Sequence, residues 1–539
     1  MLQLLSFNYY TKEDKLNKYP IIYKYSPIGY QRSVNDKMDI SKLYVNVRLD
    51  GASPYYLQMA ALIKDKITDG SLAEGEKLPA ERELASLFRV SRTTAINTYH
   101  HLESKGYVII KKGSGTYVGN SSSYANQSSK EIPWPQVLKP NTRPSMASMM
   151  SELMVSSVPS NRISLDAGMP DPDYYPTEIF LKLFNECFAE LDPQDFGHIP
   201  VQGYEPLRKT VAGMLSDSGT GCSPEQIVIL AGSQQGIYLS SRVLVEPGDY
   251  VVVQSPTYVG AIQAFQSMGA KLLSLPVGES FPFEILEDYL TRYRPKMLYC
   301  VPTFRNPSGT VMSIGERKEL IQLAARYRLV ILEDDPYSHY YYEEAPPPSL
   351  KALDNYGGVI YMSTYSKIIM PGLRLGYMAA HPSLINRVVM EKQYVDVHSN
   401  NIGQWLLTLF IRKGYLTGHL EKMRAVYKSR RDTMFEALTG SLGDRLSFRK
   451  PGGGFYLWCR SNDGIPAKKL LQEALKEGVS FIPGEAFYAA TVEDTEMRLC
   501  FSRHNEKILL EGIGRLERAI RKFKKDRHNT PGKEIMPII

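Results

Sequence analysis

The sequence predicts a multi-domain protein, in which a small α+β unit precedes a large α/β domain with a C-terminal α+β subdomain. Amphipathic helical segments followed by one hairpin pattern predict the small unit, between about residues 54 and 119. Near-continuous apolar runs that alternate with helical segments predict the large domain from about residue 163. With 539 residues, the chain is also too long for a single domain of usual size.

Composition divides the chain into five segments: a Tyr- and Lys-rich extension, a helical unit, a Ser-, Asn- and Pro-rich linker, the α/β domain and a solvated tail. The predicted ranges are, in that order, 1–49, 50–119, 120–160, 161–525 and 526–539, with the subdomain from about residue 400. We expect the extension to be poorly ordered. Met38 begins a stretch more typical of a protein start than Met1 does, and whether residues 1–37 are translated stays open.

Charge and cysteine content narrow the class of protein. The formal net charge of +7 permits a polyanionic partner without requiring one. The five cysteines form no CxxC pair, which argues against a disulfide framework and a zinc site and favours a reducing compartment. No apolar run approaches the ~18 residues that a membrane span needs, and the first residues lack a cleavage-like site. We therefore expect a cytoplasmic protein without a bound metal or a membrane partner.

The small unit has the pattern of a helix-turn-helix with a wing. Three helices are predicted, the first ending at Gly70 and the third capped by Ser91, and "YVIIKKGSGTYV" is a hairpin with a basic, glycine-rich tip. Between Arg89 and Gly119 there are five Lys or Arg and one acid, a net +4 over 31 residues. A small helical dimerisation domain with a solvated face is the alternative. The hairpin tip, the sign of the charge and the following linker favour DNA binding.

Six runs in the large domain predict the strands of a mostly parallel sheet. They are "QIVILAG", "DYVVVQSP", "KLLSLPV", "KMLYCVPT", "LVILEDD" and "VIYMST". In open α/β sheets, ligands collect at the carboxyl ends of the strands. Five of these ends carry polar or aromatic groups that could serve a ligand: Ser233 with Gln234, Tyr258, Asn306, Asp334 with Tyr337, and Lys367.

Each of these groups is weak evidence by itself. Lys367 could belong to a solvated basic loop that also holds Arg374, and Tyr258 could be a core residue. Together, however, a lysine, a carboxylate, donors for a ring oxygen and a helix start for a phosphate match the needs of pyridoxal phosphate.

The small unit also resembles a known family. The stretch "GEKLPAERELASLFRVSRTTAINTYHHLESKGYVIIKKGSGTYV" is similar to the DNA-binding domain of the GntR regulators almost end to end. The resemblance implies that double-stranded DNA is a partner. It also implies that Arg82, Arg92, Thr93 and the wing residue Gly113 contact it.

From about Ser164 to Arg521, the order and the residues of the motifs resemble those of fold-type I aminotransferases, which are pyridoxal phosphate-dependent. The resemblance implies that Lys367 forms the Schiff base and Asp334 pairs with the pyridine nitrogen. Arg498 would bind a substrate carboxylate, and the loop at Gly168 would cover the substrate. Asn306 and Tyr337 would form hydrogen bonds to the ring oxygen, and Tyr258 would stack on the ring. The phosphate would be bound by Ser233, Gln234, Thr364 and Arg374.

One position departs from the aminotransferase pattern. Five residues before Gly203, the family usually has a tyrosine that reaches the phosphate of the partner subunit, and this chain has His198. The role of His198 therefore stays open.

A GntR-like unit joined to an aminotransferase-like domain resembles the MocR subgroup of transcriptional regulators, which implies a head-to-tail homodimer. We expect a regulator that senses an amine or amino acid through an aldimine at Lys367. A regulator that senses pyridoxal phosphate itself and a catalytically active amino-acid aminotransferase are the alternatives. The effector, the operator and the sign of regulation do not follow from the sequence.

Overall fold

The computed structural model describes residues 53–111, 113–119, 162–190, 192–490, 492 and 495–528. Its internal contacts divide the chain into two compact units, Met1–Thr142 and Arg143–Ile539. The predicted N-terminal extension, the predicted linker and the tail beyond residue 528 lie outside the described residues. In the part that is described, no helix is both long enough and apolar enough to cross a membrane.

The first unit has the three helices and the hairpin that the sequence predicts. The elements are α1 (Tyr55–Thr68), α2 (Glu81–Phe88), α3 (Arg92–Ser104), β1 (Val108–Lys111) and β2 (Gly115–Val118). Strands β1 and β2 pair antiparallel. This arrangement is a helix-turn-helix followed by a wing, as predicted.

Local sequence signals explain where these helices begin and end. The Ser91 hydroxyl accepts a hydrogen bond from the Thr94 N–H and so caps α3. Gly70 follows α1 at a φ of 79°, a conformation that favours glycine. Pro79 lies two residues before the first residue of α2 rather than inside its first turn, and its carbonyl accepts a 2.6 Å hydrogen bond from the buried Tyr99 hydroxyl.

The second unit contains thirteen further α-helices within its described residues. In chain order, they are α4 (Thr177–Glu190), α5 (Glu205–Asp217), α6 (Ser233–Leu244), α7 (Val259–Ser267), α8 (Phe283–Tyr293), α9 (Ile314–Tyr327), α10 (Leu350–Leu353), α11 (Tyr365–Ile368), α12 (Pro382–Gln393), α13 (Asn401–Arg412), α14 (Tyr415–Leu442), α15 (Ala467–Lys476) and α16 (Glu506–His528). Helix α16 runs through the first three residues of the predicted tail.

The strands of the second unit are β3 (Ile163–Ser164), β4 (Ile227–Leu230), β5 (Tyr250–Ser255), β6 (Lys271–Pro276), β7 (Met297–Cys300), β8 (Val330–Asp334), β9 (Val359–Thr364), β10 (Gly376–Ala379), β11 (Leu446–Phe448), β12 (Tyr456–Ser461), β13 (Val479–Ser480), β14 (Ile482–Pro483) and β15 (Glu496–Cys500). All six predicted strands are present, as β4 to β9.

A seven-stranded sheet forms the centre of this unit, in the order β4-β10-β9-β8-β7-β5-β6. The pairs from β9 to β6 are parallel, whereas β10 runs antiparallel between β4 and β9. The sequence did not indicate β10, because this four-residue strand follows directly on an irregular Pro-Gly loop. The parallel pairs place the carboxyl ends of β5, β7, β8 and β9 at one edge of the sheet.

A second sheet of four antiparallel strands, β11-β12-β15-β14, lies in the C-terminal part. The beginning of the domain joins this part, because β3 pairs in parallel with β13. The Leu165 carbonyl also accepts a 2.8 Å hydrogen bond from the Cys500 N–H. Residues near 164 are thereby held beside β15, more than 300 positions later in the sequence.

Candidate functional site

A cavity of about 510 Å³ lies at the carboxyl ends of the central strands. Of the eleven residues that the sequence predicts for the cofactor or effector, nine line it: Gly168, Ser233, Tyr258, Asn306, Asp334, Tyr337, Thr364, Lys367 and Arg498. The other two, Gln234 and Arg374, do not line it. Among the lining residues that sequence reasoning missed are Arg162, Ser164, Asp166, Tyr456, Arg503 and His504.

Asp334 ends strand β8 and is 3% exposed. Its Oδ2 accepts a 2.8 Å hydrogen bond from the hydroxyl of Tyr299, while its buried Oδ1 has no partner among the described residues. Burial is the main cause that raises the pKa of Asp334 to about 7, partly offset by the Tyr299 hydrogen bond. A buried carboxylate with one oxygen unpaired can accept a proton or a hydrogen bond from a ligand.

Lys367 lies in the short helix α11, directly after β9. Its Nζ donates a 2.6 Å hydrogen bond to the Gly168 carbonyl and lies 3.5 Å from the Met169 sulfur. Burial, followed by the charge of Arg498, lowers the pKa of Lys367 to about 8. The neutral, nucleophilic amine is therefore far more populated near neutral pH than in an exposed lysine, although the charged form still predominates.

Arg498 in β15 is 5% exposed and faces the cavity from the C-terminal sheet. One Nη donates to the Asn306 side-chain oxygen at 2.9 Å and the other donates to the Asp166 carbonyl at 2.7 Å. Its guanidinium carbon is 4.1 Å from the centre of the Tyr456 ring. Its buried Nε has no partner among the described residues. The guanidinium is thus oriented before any ligand binds.

Tyr337 and Tyr456 share a 2.8 Å hydrogen bond between their hydroxyl groups. Tyr456 begins strand β12, so the contact joins the two sheets of the unit. Gly168 leaves room for Tyr456, since a Cβ at that position would lie 1.9 Å from its hydroxyl oxygen. Any larger residue at position 168 would close this side of the cavity.

The expected phosphate end is built around the start of helix α6. Ser233 is the first residue of α6, after Gly232 at a φ of 102°. Arg374 donates to the Ala231 carbonyl at 2.7 Å and to the Ser366 hydroxyl at 3.2 Å. It therefore lies beside the helix start, although it does not line the cavity. Sequence reasoning missed Ser366, whose hydroxyl forms part of this cluster.

Gln234, the other residue outside the cavity, donates from its side chain to the Gly260 carbonyl at 3.1 Å. That contact holds the start of α6 to the start of helix α7, where Tyr258 is the N-cap residue. A Cβ at Gly260 would lie 2.6 Å from the Tyr258 ring, so the glycine permits the position of that ring. Burial raises the pKa of Tyr258 to about 12, so its phenol stays neutral.

These groups fit pyridoxal phosphate. The unpaired oxygen of Asp334 suits a protonated ring nitrogen, and Lys367 presents an amine in the same cavity. A helix start with adjacent hydroxyl groups and a guanidinium suits a phosphate. The Asn306 amide nitrogen has no partner among the described residues, which leaves it as a donor.

The four predicted DNA contacts lie at the surface of the first unit. Arg82, Arg92, Thr93 and Gly113 are all exposed. Arg92 pairs with Glu81 at 3.0 Å, which holds the first residue of α3 against the first residue of α2. Gly113 occupies the hairpin tip at a φ of 79°. In α3, Thr98 is fully buried beside Ala95, Tyr99 and Leu102, whereas Ile96 is only half-buried.

Comparisons with known proteins agree with both units. The family model "Bacterial regulatory proteins, gntR family" matches residues 55–118, and "Aminotransferase class I and II" matches residues 163–516. A Bacillus subtilis protein named "Uncharacterized HTH-type transcriptional regulator YisV" is 32% identical over 83% of this chain and 92% of its own length. The Rhizobium meliloti protein "Probable rhizopine catabolism regulatory protein MocR" is 29% identical over 87% of this chain and 94% of its own.

Among solved structures, a Pyrococcus horikoshii kynurenine aminotransferase superimposes with a TM-score of 0.68 at 37% identity. The match covers 72% of this chain and 98% of that one. The chain therefore belongs to the class I and II aminotransferase family, whose cofactor is pyridoxal phosphate, and its gntR-family unit makes it a member of the MocR subgroup of regulators.

Proposed function

We propose that this protein is a transcription factor that holds pyridoxal phosphate covalently on Lys367 and binds a small amine or amino acid in the same cavity. Binding of that effector would change the affinity of the first unit for its operator. The observation that carries the proposal is the presence, in one chain, of a gntR-family DNA-binding unit and a cavity lined by seven of the nine predicted cofactor residues.

The DNA-binding part of the proposal rests on helix α3 and the wing. Arg92 begins α3, and the exposed residues that follow it offer polar side chains of the size that major-groove recognition uses. The ion pair with Glu81 presets the direction of the Arg92 side chain. We expect Arg92→Ala to weaken operator binding and to flatten the log–log salt dependence by about one unit.

The effector part of the proposal rests on Arg498. A planar guanidinium binds a carboxylate through two parallel hydrogen bonds, and a lysine cannot reproduce that geometry. Because Arg498 and Lys367 line the same cavity, a bound amino acid could place its carboxylate on the first and its amine near the second. This arrangement favours an amino acid over a simple amine.

A homodimer is also part of the proposal. Leu181 is 63% exposed on helix α4, and Phe184 and Phe196 are more than a third exposed beside it. Phe188 stacks on Phe184 at 4.0 Å and contacts Phe196, so the apolar surface is continuous. Such a patch is typical of a subunit interface. We expect Leu181→Glu to shift the protein towards monomer in analytical ultracentrifugation.

His198, which replaces the tyrosine of the family pattern, lies 3.1 Å from His398 between ring nitrogens. The role of His198 in the homodimer stays open, and the cytoplasmic location stays a prediction.

The experiment that tests the function combines spectroscopy and DNA binding on the same protein. An amino-acid panel is added to the protein loaded with pyridoxal phosphate, while its absorbance and its affinity for the upstream DNA are measured. We expect at least one amino acid to change both. Arg498→Lys should weaken both responses by ~1–3 kcal/mol, whereas Arg82→Ala should weaken DNA binding and leave the absorbance response unchanged.

An active aminotransferase is the second candidate, because the lowered pKa of Lys367 suits chemistry as well as binding. Rapid multiple turnover with a keto-acid acceptor, together with a DNA affinity that no ligand changes, would favour that enzyme over the regulator. A change in DNA affinity on adding pyridoxal phosphate alone, with no response to any amino acid, would favour sensing of the cofactor itself.

A further inference from the structure

A second cavity, of about 230 Å³, lies behind the wall of the cofactor cavity. Val301 lines both cavities, and Arg305 in the second is the direct neighbour of Asn306 in the first. Five of the remaining lining residues form an apolar wall, namely Val277, Phe281, Pro302, Val311 and Met312, and most of the others are polar or charged. Neither the predicted cofactor groups nor the predicted effector groups include any of these residues.

Arg305 is the unusual residue of this cavity, because it is 2% exposed and has no carboxylate partner among the described residues. Its Nε donates to the Ser308 hydroxyl at 3.0 Å and one Nη donates to the Val277 carbonyl at 3.2 Å. A guanidinium has five N–H donors, so these two contacts leave most of them unused. A buried charge without a counter-ion is unfavourable unless a ligand supplies one.

Arg317 shows how the same fold treats a buried arginine that has only a structural role. It is fully buried and donates to four backbone carbonyls and to the Thr303 hydroxyl. Burial lowers the pKa of Arg317, and the carboxylates of Glu333 and Asp335 partly offset that effect. For Arg305, by contrast, no carboxylate is among the groups that affect its pKa, which burial lowers to about 10. Unused donors and a missing counter-ion thus distinguish Arg305 from Arg317.

The other charged residues of the second cavity already have partners. Glu279 pairs with Arg449 at the exposed rim. Glu316 accepts hydrogen bonds from the N–H groups of Ser313 and Phe281, both at 2.8 Å. Neither carboxylate is therefore available to neutralise Arg305, and Arg305 is the one charge of this lining without an ionic or capping contact among the described residues.

We propose that the second cavity is a binding site for a small organic carboxylate, held by the guanidinium of Arg305 with its hydrocarbon part against the apolar wall. The one unpaired cation matches one carboxylate charge, whereas a phosphate dianion would bring a second negative charge for which the lining has no second unpaired cation. The volume is below the ~300–1,000 Å³ typical of sites for drug-sized ligands, which suits an acid of a few carbons.

A ligand at this position would stabilise the loop that carries Asn306. The Arg305 N–H donates to the Thr310 carbonyl at 2.9 Å, and the Arg305 carbonyl accepts from the Gly309 N–H at 2.7 Å. These bonds close the loop between its two ends. Asn306 in turn accepts from Arg498 in the cofactor cavity. The carboxylate site is therefore separate from the cofactor site but shares a loop with it.

The test compares two probes of the same size, sodium butyrate and butyramide, on the full chain loaded with pyridoxal phosphate. Ligand-observed NMR and thermal unfolding should both detect butyrate binding, and butyramide should give no effect at the same concentration. Butyrate affinity should fall about tenfold or more in Arg305→Gln, because a charge-assisted contact is lost. The Arg305→Lys variant keeps the charge but not the planar guanidinium. Its affinity for butyrate should lie between that of the unmodified chain and that of Arg305→Gln.

Arg326→Gln is the control, since it removes an arginine that pairs with Glu287 outside the second cavity and leaves Arg305 in place; its butyrate affinity should equal that of the unmodified chain. If Arg305→Gln does not fold, Arg305→Lys and the comparison of butyrate with butyramide carry the test. Equal binding of the two probes, no butyrate binding, or unchanged butyrate affinity in a folded Arg305 variant would each overturn the proposal. Sodium phosphate that competes with butyrate as strongly as a second carboxylate would overturn the choice of a carboxylate.

Discussion

The buried charges of helix α14 and those of the cofactor cavity are equally shielded from water, but their hydrogen bonding differs. In α14, Arg431 uses all three nitrogen atoms, on Glu343, on Asp432 and on the Pro451 carbonyl. Its neighbour Arg430 binds Asp171 at 2.6 Å and the Ser502 carbonyl at 2.7 Å through its two Nη atoms, and only its buried Nε lacks a partner among the described residues. These groups fasten helix α14 to loops from distant parts of the chain.

Four residues of the cofactor cavity each retain one buried polar atom without a partner among the described residues. The atoms are Asp166 Oδ2, Asp334 Oδ1, Arg498 Nε and His504 Nε2. Unsatisfied buried groups are unfavourable for stability and are rare in folded proteins. Other buried atoms without a partner occur elsewhere among the described residues, Arg430 Nε included, but these four line a cavity in which a ligand can complete their hydrogen bonding. The predictions below test this difference.

The largest expected effect is on covalent cofactor binding. Lys367→Ala should abolish the adduct that borohydride fixes between the protein and pyridoxal phosphate, as measured by intact-protein mass spectrometry. Lys392→Met is the matched control, since Lys392 is also fully buried but is paired with Asp396 at 2.8 Å. An adduct that persists in Lys367→Ala would contradict the assignment of this lysine.

The second expected effect is on stability. Asp171→Asn leaves Arg430 buried without its counter-ion, and the loss of one partner of a buried pair reduces the free energy of unfolding by about 3–5 kcal/mol. Asp334→Asn should change the stability of the cofactor-free protein far less, because Asp334 has no cationic partner in an ion pair. Urea unfolding followed by tryptophan fluorescence measures both. Similar losses in the two variants would remove the distinction between structural and ligand-binding charges.

The third expected effect is on cofactor retention. Asp334→Asn removes the negative charge opposite the expected ring nitrogen, and a hydrogen bond to a charged group contributes about 1.5–3 kcal/mol. Dialysis against decreasing pyridoxal phosphate should therefore show a loss of affinity of about tenfold or more. Asp335→Asn is the control, because Asp335 is equally buried but binds the Ser338 N–H and the Tyr361 hydroxyl. It should retain the cofactor normally.

The smallest expected effect is a shift in pH dependence. Because the pKa of Lys367 is lowered to about 8, its charged form destabilises the cofactor-free protein below that pH. This loss of folding free energy becomes smaller as pH rises from about 8 towards the pKa of the lysine in the unfolded chain. The neutral amine follows the same titration, so the rate of covalent cofactor attachment should rise with pH and level off above about 8.

Arg498 is the neighbouring charge that lowers the pKa of Lys367 most. Arg498→Gln should therefore move the midpoint of the attachment rate to higher pH, and Arg374→Gln should move it less. Stopped-flow absorbance over a pH series measures both shifts. A midpoint that stays the same in both variants would show that these charges do not set the titration of Lys367.

The sequence by itself determined the elements whose signals are local. Apolar runs predicted strands β4 to β9, and the Ser91 cap and the glycine at position 70 predicted the ends of two helices. The parallel pairing then brought seven predicted residues to one cavity, because parallel strands deliver their carboxyl ends to the same edge. Lys367 and Asp334 could therefore be placed together from the order of the strands, whereas Arg498, in the antiparallel C-terminal sheet, and Gly168 were predicted from the family resemblance alone.

Only the tertiary structure decided which groups touch. Tyr299 lies in the middle of a buried strand, where its sequence context is that of a core residue, yet its hydroxyl binds Asp334 from 35 positions away. Tyr456 reaches Tyr337 from the C-terminal sheet, 119 positions later. The missing counter-ion of Arg305 also depends on which side chains surround it. The hydrophobic periodicity of a segment predicts its secondary structure. A contact between side chains depends on how segments distant in sequence pack together, so no short stretch of sequence predicts it.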